Sequence, residues 1–410
     1  MARRRLPTTL AAVALAGAAA GCSLGARPDG AGTPAGPGGA NGARTTTPTG
    51  STSATTGADG SVRGRPFHLT IAAAGDVLAH STVTKDARRY GTATGVTYDY
   101  APMFARVAPI LGRADLAICH METPLSKNDT NLSVPGRLVF NTPHEMAAAV
   151  KGAGYDGCDF ASNHTWDQGR AGLASTVSVL HAAGLQYAGP TADPKAPRSV
   201  AHYTTHGVRV AQLAYSYTVL NDWGPNTKTP PDAPWTAQSL WPARKAAGII
   251  ADARAAKRAG ADIVVVSLHW GAEYITKPTK DQTSLAAALL ASKDVDLILG
   301  THVHVVQPCQ TIHGKYVFYG LGNSLSNQAP SQAAGLRPET QEGMIATVTI
   351  SRDDAGRVTE SATYQPTRVK LEGHVIEPVT KASNATTWSR VVRGVSSLGS
   401  GKCSARPTGG

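Results

Sequence analysis

Val295-Asp296-Leu297-Ile298-Leu299-Gly300-Thr301-His302-Val303-His304 is a short apolar run that closes on glycine and is followed at once by two histidines. A run of that length bounded by glycine reads as a buried parallel strand, apolar on both faces because both faces are covered. In open α/β sheets ligands gather just beyond the carboxyl ends of the strands. His302 and His304 therefore fall where a site belongs. In extended backbone residues i and i+2 point the same way, so both imidazoles can face one metal ion or two adjacent ones. Taken alone, the pair is more simply explained by packing. Its weight comes from four further strands that end in the same kind of chemistry.

His68 to Asp76 is apolar and closes on Gly75-Asp76, where a carboxylate either caps the next segment or ligates a metal. Ala114 to Pro124 delivers His120 and Glu122 before Pro124 stops the strand. Tyr155 to His164 ends in Asn163, a neutral carbonyl oxygen, and His164, an imidazole that titrates near neutral pH. Ala261 to Gly271 is the clearest buried strand of the chain and ends at His269. Between these runs, helices are expected over 143–152, 170–183, 243–260 and 280–292, and further strands over 186–189, 208–215 and 316–323. A hairpin is expected over 343–371 around Asp353-Asp354-Ala355-Gly356. A Pro- and Trp-bearing loop runs from about 221 to 242, and Tyr217, Trp223 and Trp235 either wall a substrate or pack that loop. Each strand end has an ordinary explanation, but five together point to a shared metal site of mixed oxygen and nitrogen donors. A bridged metal pair in such a site activates water and clamps a phosphate-like transition state.

The start of the chain has a different character. Residues 1–21 carry Arg3-Arg4-Arg5, an alanine-rich apolar stretch and a small-residue ending, the pattern of a secretory signal peptide. Cys22 after Ala-Gly resembles a bacterial lipobox, with Ala19 where that motif usually has leucine, and is the expected lipidation site. Residues 22–65 are Gly, Ala, Pro, Thr and Ser with almost no large apolar side chain, so they form a disordered tether. One domain is expected over 66–378, with a loose tail over 379–410. The net charge is +11, and residues 1–65 hold seven arginines against Asp29 and Asp59, which leaves about +6 for the rest. With no dense Lys/Arg run this is a solvated surface, not a nucleic-acid footprint, and it remains compatible with an anionic extracellular polymer. Cys119, Cys158, Cys309 and Cys403 allow three disulfide pairings, among which sequence does not choose. Cys309 with Cys403, pinning the tail to the domain, is the pairing we expect, and Cys119 and Cys158 read as small buried hydrophobes.

The series Gly75-Asp76, Met121-Glu122-Thr123-Pro124, Ser162-Asn163-His164 with Asp167 and Gly169, His269-Trp270-Gly271-Ala272-Glu273-Tyr274, Gly300-Thr301-His302-Val303-His304 and Tyr319-Gly320-Leu321-Gly322-Asn323 resembles the capsule-synthesis CapA family. That family is associated with poly-gamma-glutamate capsule production and is related to calcineurin-like metallophosphoesterases. The resemblance covers about Leu69 to Ser324 and implies a four-layer α/β/β/α sandwich of the metallo-dependent phosphatase type. It also implies one or two divalent metal ions, Mn, Zn or Fe: Asp76 and His304 on one, Asn163, His269 and His302 on the other, and Glu122 bridging. His164 is implied as the proton donor or transition-state contact, which with Glu122 makes the catalytic pair. Leu78 stands where the phosphoesterases carry a histidine two residues after the first aspartate, so a weakened or empty first metal position is expected. Glu122 replaces a shorter aspartate, and His120, Ser162, Val303 and Ser324 stand where other residues are common. The expected function is hydrolysis or transfer on an anionic surface polymer or a small phospho or amide substrate, by a lipoprotein on the outer face of the cell membrane or a secreted protein, alongside capsule-synthesis membrane proteins. The alternative is a non-catalytic factor that binds or retains the polymer.

Overall fold

A computed structural model describes residues 65–221 and 227–410. The expected signal peptide, Cys22, nearly all of the tether and Trp223 lie outside the described residues. The first half of the fold runs β1 (Phe67–Val77), α1 (Ser81–Thr94), β2 (Leu116–Met121), α2 (Glu145–Gly152), β3 (Gly157–Asp159), α3 (Gly169–Ala182) and β4 (Gln186–Pro190). It continues through β5 (Ala201–Thr205), β6 (Val208–Ser216), α4 (Trp241–Arg258), β7 (Ile263–His269), α5 (Lys280–Leu290) and β8 (Leu297–Thr301). The remainder is β9 (Cys309–Ile312), β10 (Lys315–Phe318), β11 (Asn323–Leu325), β12 (Glu342–Arg352), β13 (Val358–Lys370), β14 (Val375–Pro378) and α6 (Ala385–Val395).

Two sheets result. One follows the order β14-β13-β12-β1-β2-β3-β4, with β11 parallel to the end of β1; the other follows β9-β10-β8-β7-β6-β5. The apolar pattern of β7 shows why they stack. Ile263 and Val265 enter the core between the sheets, facing Leu69, Ile71 and Val348, while Val264, Val266 and Leu268 face outward. That outer face is covered by Ile249 and Ala253 of α4 and Leu285 and Leu289 of α5. On the far side of the first sheet, Ala72, Ala117 and Met121 pack against Val83 of α1, Val150 of α2 and Leu173 of α3. Strands covered on both faces need a helix layer on each side, and the molecule is a four-layer α/β/β/α sandwich.

Several expectations are revised. The run expected as one strand over 316–323 is split: β10 belongs to the second sheet and β11 to the first. Gly320-Leu321-Gly322 crosses between them, with Gly322 at φ 71° and its carbonyl accepting the Asp76 N–H at 3.1 Å. Only Gly157–Asp159 pairs within the strand expected over 155–164, and α1 is an element beyond those expected. Cys119 and Cys158 are not free hydrophobes. They face each other in register on parallel β2 and β3, Cα atoms 4.5 Å apart, and form a disulfide, because registered residues on paired strands point their side chains the same way. Cys309 and Cys403 form the second disulfide. Where a loose tail was expected after 378, Asn384 caps α6 by accepting the Thr387 N–H at 3.0 Å, and Val391 and Val395 enter the inter-sheet core. Arg406–Pro407 then pairs with β13.

Candidate metal centre

The two sheets present their strand ends to each other at one place. Asp76 lies near the end of β1, Glu122 one residue past β2, Asn163 and His164 just past β3, His269 at the last position of β7, and His302 and His304 just past β8. All seven are 5% exposed or less. The strand-closing glycine of the β8 stretch is required sterically, since a Cβ on Gly300 would strike the Tyr319 carbonyl. Beyond it the backbone takes positive φ at both histidines, 90° at His302 and 56° at His304. Non-glycine residues hold that region only where their surroundings impose it, and such positions cluster at functional sites.

The donor atoms converge. Asp76 Oδ1 accepts the backbone N–H of His302 at 3.1 Å, and Asp76 Oδ2 lies 3.5 Å from His304 Nδ1. Glu122 Oε1 is 3.7 Å from His304 Nε2 and 4.0 Å from His269 Nε2, and the latter is 2.8 Å from Asn163 Oδ1. Two ligand triads therefore share Glu122: Asp76, Glu122 and His304 on one side, and Glu122, His269 and His302 on the other. Asp76 Oδ2, both Glu122 carboxylate oxygens, His302 Nδ1 and His120 Nε2 are buried with no hydrogen-bond partner. A buried polar atom left unpaired costs about 1–3 kcal/mol, so five in one cluster are accounted for by something they jointly bind. Their chemistry, carboxylate oxygens with imidazole nitrogens, fits a divalent cation.

Electrostatics divide the donors into two groups. Burial, reinforced by the neighbouring imidazoles, holds His302 down to about 3 and His269 well below its usual value, so both rings are neutral and able to ligate. Burial also lifts Glu122 to about 7 against the pull of His304. His304 goes the other way: burial opposes its charge, but Glu122 and Asp76 raise it to about 10. Asp76 stays low despite burial because His304 and His120 face it.

Around the donors stands a shell of orienting groups. His304 Nδ1 contacts Asn323 Oδ1 at 3.0 Å, and Asn323 in turn donates to Gln328 and to the Thr340 carbonyl. His164 Nδ1 lies 2.8 Å from Asp167 Oδ2, and the His164 ring meets Phe140 edge-on at 4.6 Å. Of the aromatic residues of the expected wall, Tyr217 packs on His302 with ring centroids 4.5 Å apart, whereas Trp235 donates to the Thr191 carbonyl and lies under Arg170. His120 and His80 were not among the expected site residues. His120 has its own triad with Asp76 and His269. His80 leans on Phe140, and burial holds it near 3. His120 was legible as a side chain beside Glu122; nothing in the sequence around His80 marks it.

The profile of the bacterial capsule synthesis protein PGA_cap matches residues 70–328, the segment that contains every member of this cluster. The chain belongs to that family. As a PGA_cap protein it is similar to the capsule biosynthesis protein CapA of Bacillus anthracis, 29% identical over 63% of this chain and 60% of that protein. It is also similar to the PGA biosynthesis protein CapA of Bacillus subtilis (strain 168), 24% identical over 68% of each chain. The chain thus spans about three fifths of the length of the anthracis relative. Among solved structures, the calcineurin-like phosphoesterase YfkN from Bacillus subtilis aligns with 80% of this PGA_cap chain and 97% of its own, at 14% identity and a TM-score of 0.39.

Proposed function

We propose that this protein is a metal-dependent hydrolase or transferase in the synthesis of a capsule-type surface polymer of the poly-gamma-glutamate class. What carries the reading is the set of orphaned buried donors converging between the two sheets. Asp76 and His304 would hold one ion and Asn163, His269 and His302 a second, with Glu122 facing both. Bound there, divalent metal supplies Lewis-acid polarisation of a substrate oxygen and activation of water or of a chain-end nucleophile. The protein residues supply the rest. Asp167 fixes one nitrogen of His164, which leaves the other to give a proton to the leaving group. Tyr217 and Phe140 wall the site with apolar surface that excludes water from the reacting bond.

Export is part of the proposal: a signal peptide over 1–21, lipid on Cys22 and a tether holding the domain off the outer face of the membrane. Two disulfides support it, because such bonds persist in oxidising compartments. Among the described residues no helix is long and apolar enough to cross a membrane.

Metal content and turnover test the proposal together. Elemental analysis of the full chain is expected to find near-stoichiometric divalent metal that His269→Ala and His302→Ala lose. With gamma-glutamyl amides and phosphoesters as substrates, His164→Ala is expected to lower kcat by about 10²–10⁴-fold with metal content retained. Full turnover in that variant would overturn the catalytic reading and leave a polymer-binding factor.

A further inference from the structure

His120 lies within β2, in register with Asp76 on one side and with Asp159 of β3 on the other. It is 2% exposed. Its Nδ1 sits 2.6 Å from Asp159 Oδ1, a short charge-assisted hydrogen bond that places the ring proton on Nδ1. Asp159 is fixed in turn: its Oδ2 accepts from Gln212 Nε2 at 3.2 Å, and Gln212 is tied to Ser267 Oγ at 3.0 Å and to the Tyr203 hydroxyl at 2.8 Å. This polar chain crosses from the first sheet to the second and leaves the imidazole little freedom.

The other nitrogen is the informative one. His120 Nε2 has no hydrogen-bond partner, and the nearby carboxylate oxygen, Asp76 Oδ1, is 3.7 Å away. That is too long for a hydrogen bond. It suits two donors that flank one cation, since atoms each about 2.1 Å from a shared ion sit roughly 3–4 Å apart. The His120 ring also stacks on His269 with centroids 4.8 Å apart, and a nitrogen of His269, the ring assigned to the second position, lies within 4.8 Å of the Asp76 and His120 donor atoms. Leu78, two residues beyond Asp76, has no donor atom to offer.

We propose that His120 is a ligand of the metal held beside Asp76, and that Asp159 is the positioning residue that turns its Nε2 lone pair toward that metal. The inference rests on the metal-dependent reading above. It changes one expectation: the first metal position is not weakened for want of a histidine, because the nitrogen comes from the neighbouring strand. A carboxylate behind a ligating histidine is the usual device for fixing its tautomer and raising its basicity.

Cobalt(II) binding to the full chain tests this, read by visible absorption and by competition with a chelator. The variants are His120→Ala, His120→Gln and Asp159→Asn, with His302→Ala for comparison. Both His120 variants are expected to lose one equivalent of cobalt or to bind it at least about 100-fold more weakly, with an altered absorption band. Asp159→Asn, which keeps the ring but loosens its tautomer, is expected to weaken the same equivalent by about 10–100-fold. If folded His120→Gln and Asp159→Asn bind cobalt as the parent does, with the same spectrum, while His302→Ala does not, His120 is structural and this inference falls alone. If the parent binds no cobalt, zinc or manganese, both this inference and the metal-dependent reading fall. Should His120→Ala not fold, Asp159→Asn decides by itself, because a role confined to packing would leave the cobalt affinity of the folded variant unchanged.

Discussion

Glu122 is the residue on which both halves of the cluster depend. Its two carboxylate oxygens are unpaired, and one of them, Oε1, lies between His304 and His269. Glu122→Gln removes the shared charge, so we expect it to lower occupancy at both positions, whereas His304→Ala should empty only the position beside Asp76. Metal stoichiometry by elemental analysis separates the two, and equal losses in both variants would contradict the shared role. At this scale the sequence was most informative. Residues that end apolar runs are conspicuous because the runs themselves are, and Asp76, Glu122, Asn163, His269, His302 and His304 were all found that way. His80 was not, because it follows Ala79 at the entry to α1, where no strand pattern points to it. Its place beside Phe140 and the cluster arises only when the sheets stack.

Among the elements, long β/α pairs were legible and crossings were not. β7 is an apolar run broken only by Ser267 before it reaches His269, and α5 repeats its buried positions every three to four residues; both signals depend only on local sequence. The passage from β10 to β11 does not, since the seven apolar and glycine residues from Tyr316 to Gly322 read the same whether they stay in one sheet or cross to another. The same blindness applies to Cys119 and Cys158, whose pairing depends on which strands are neighbours. Gly300 shows how tightly the elements are fitted at the site. Gly300→Ala drives a methyl into the Tyr319 carbonyl, and we expect a loss of about 1–3 kcal/mol in urea unfolding together with weaker metal binding. Parent-like values for both would show that β10 can move aside. The Cys309–Cys403 bond closes 94 residues of chain and fixes the segment that carries α6. Replacing both cysteines by serine is expected to cost about 2–5 kcal/mol by the same measurement, with the metal cluster, which lies outside that segment's contacts in the inter-sheet core, still able to load.

The fold as a whole responds to pH through carboxylates away from the metal cluster. Burial, joined by Asp296, lifts Glu360 on β13 to about 8, and burial lifts Glu342 on β12 to about 7 against the pull of Arg390. Both start from an ordinary value of 4.5, so between pH 4.5 and 8 the folded chain binds protons that the unfolded chain has released. Stability therefore falls as pH rises through that window and is greatest on its acid side. Glu360→Gln, which can still accept the Tyr316 N–H, is expected to flatten the fall between pH 5 and 8, and an unchanged slope in urea midpoints would reject the assignment. The Cys119–Cys158 bond has a consequence for how the molecule comes into being. Its sulfurs are carried one residue before His120 and Asp159, on the same two strands. Until they are oxidised they are thiols, and thiolates are the preferred ligands of soft cations. A nascent chain that met such an ion before oxidation would hold it in the wrong place, with sulfur donors instead of imidazole and carboxylate. Order of maturation is therefore open to measurement: a chain offered zinc while reduced is expected to take up ion that the chain oxidised first does not, and equal uptake by the two would show that the thiols never compete.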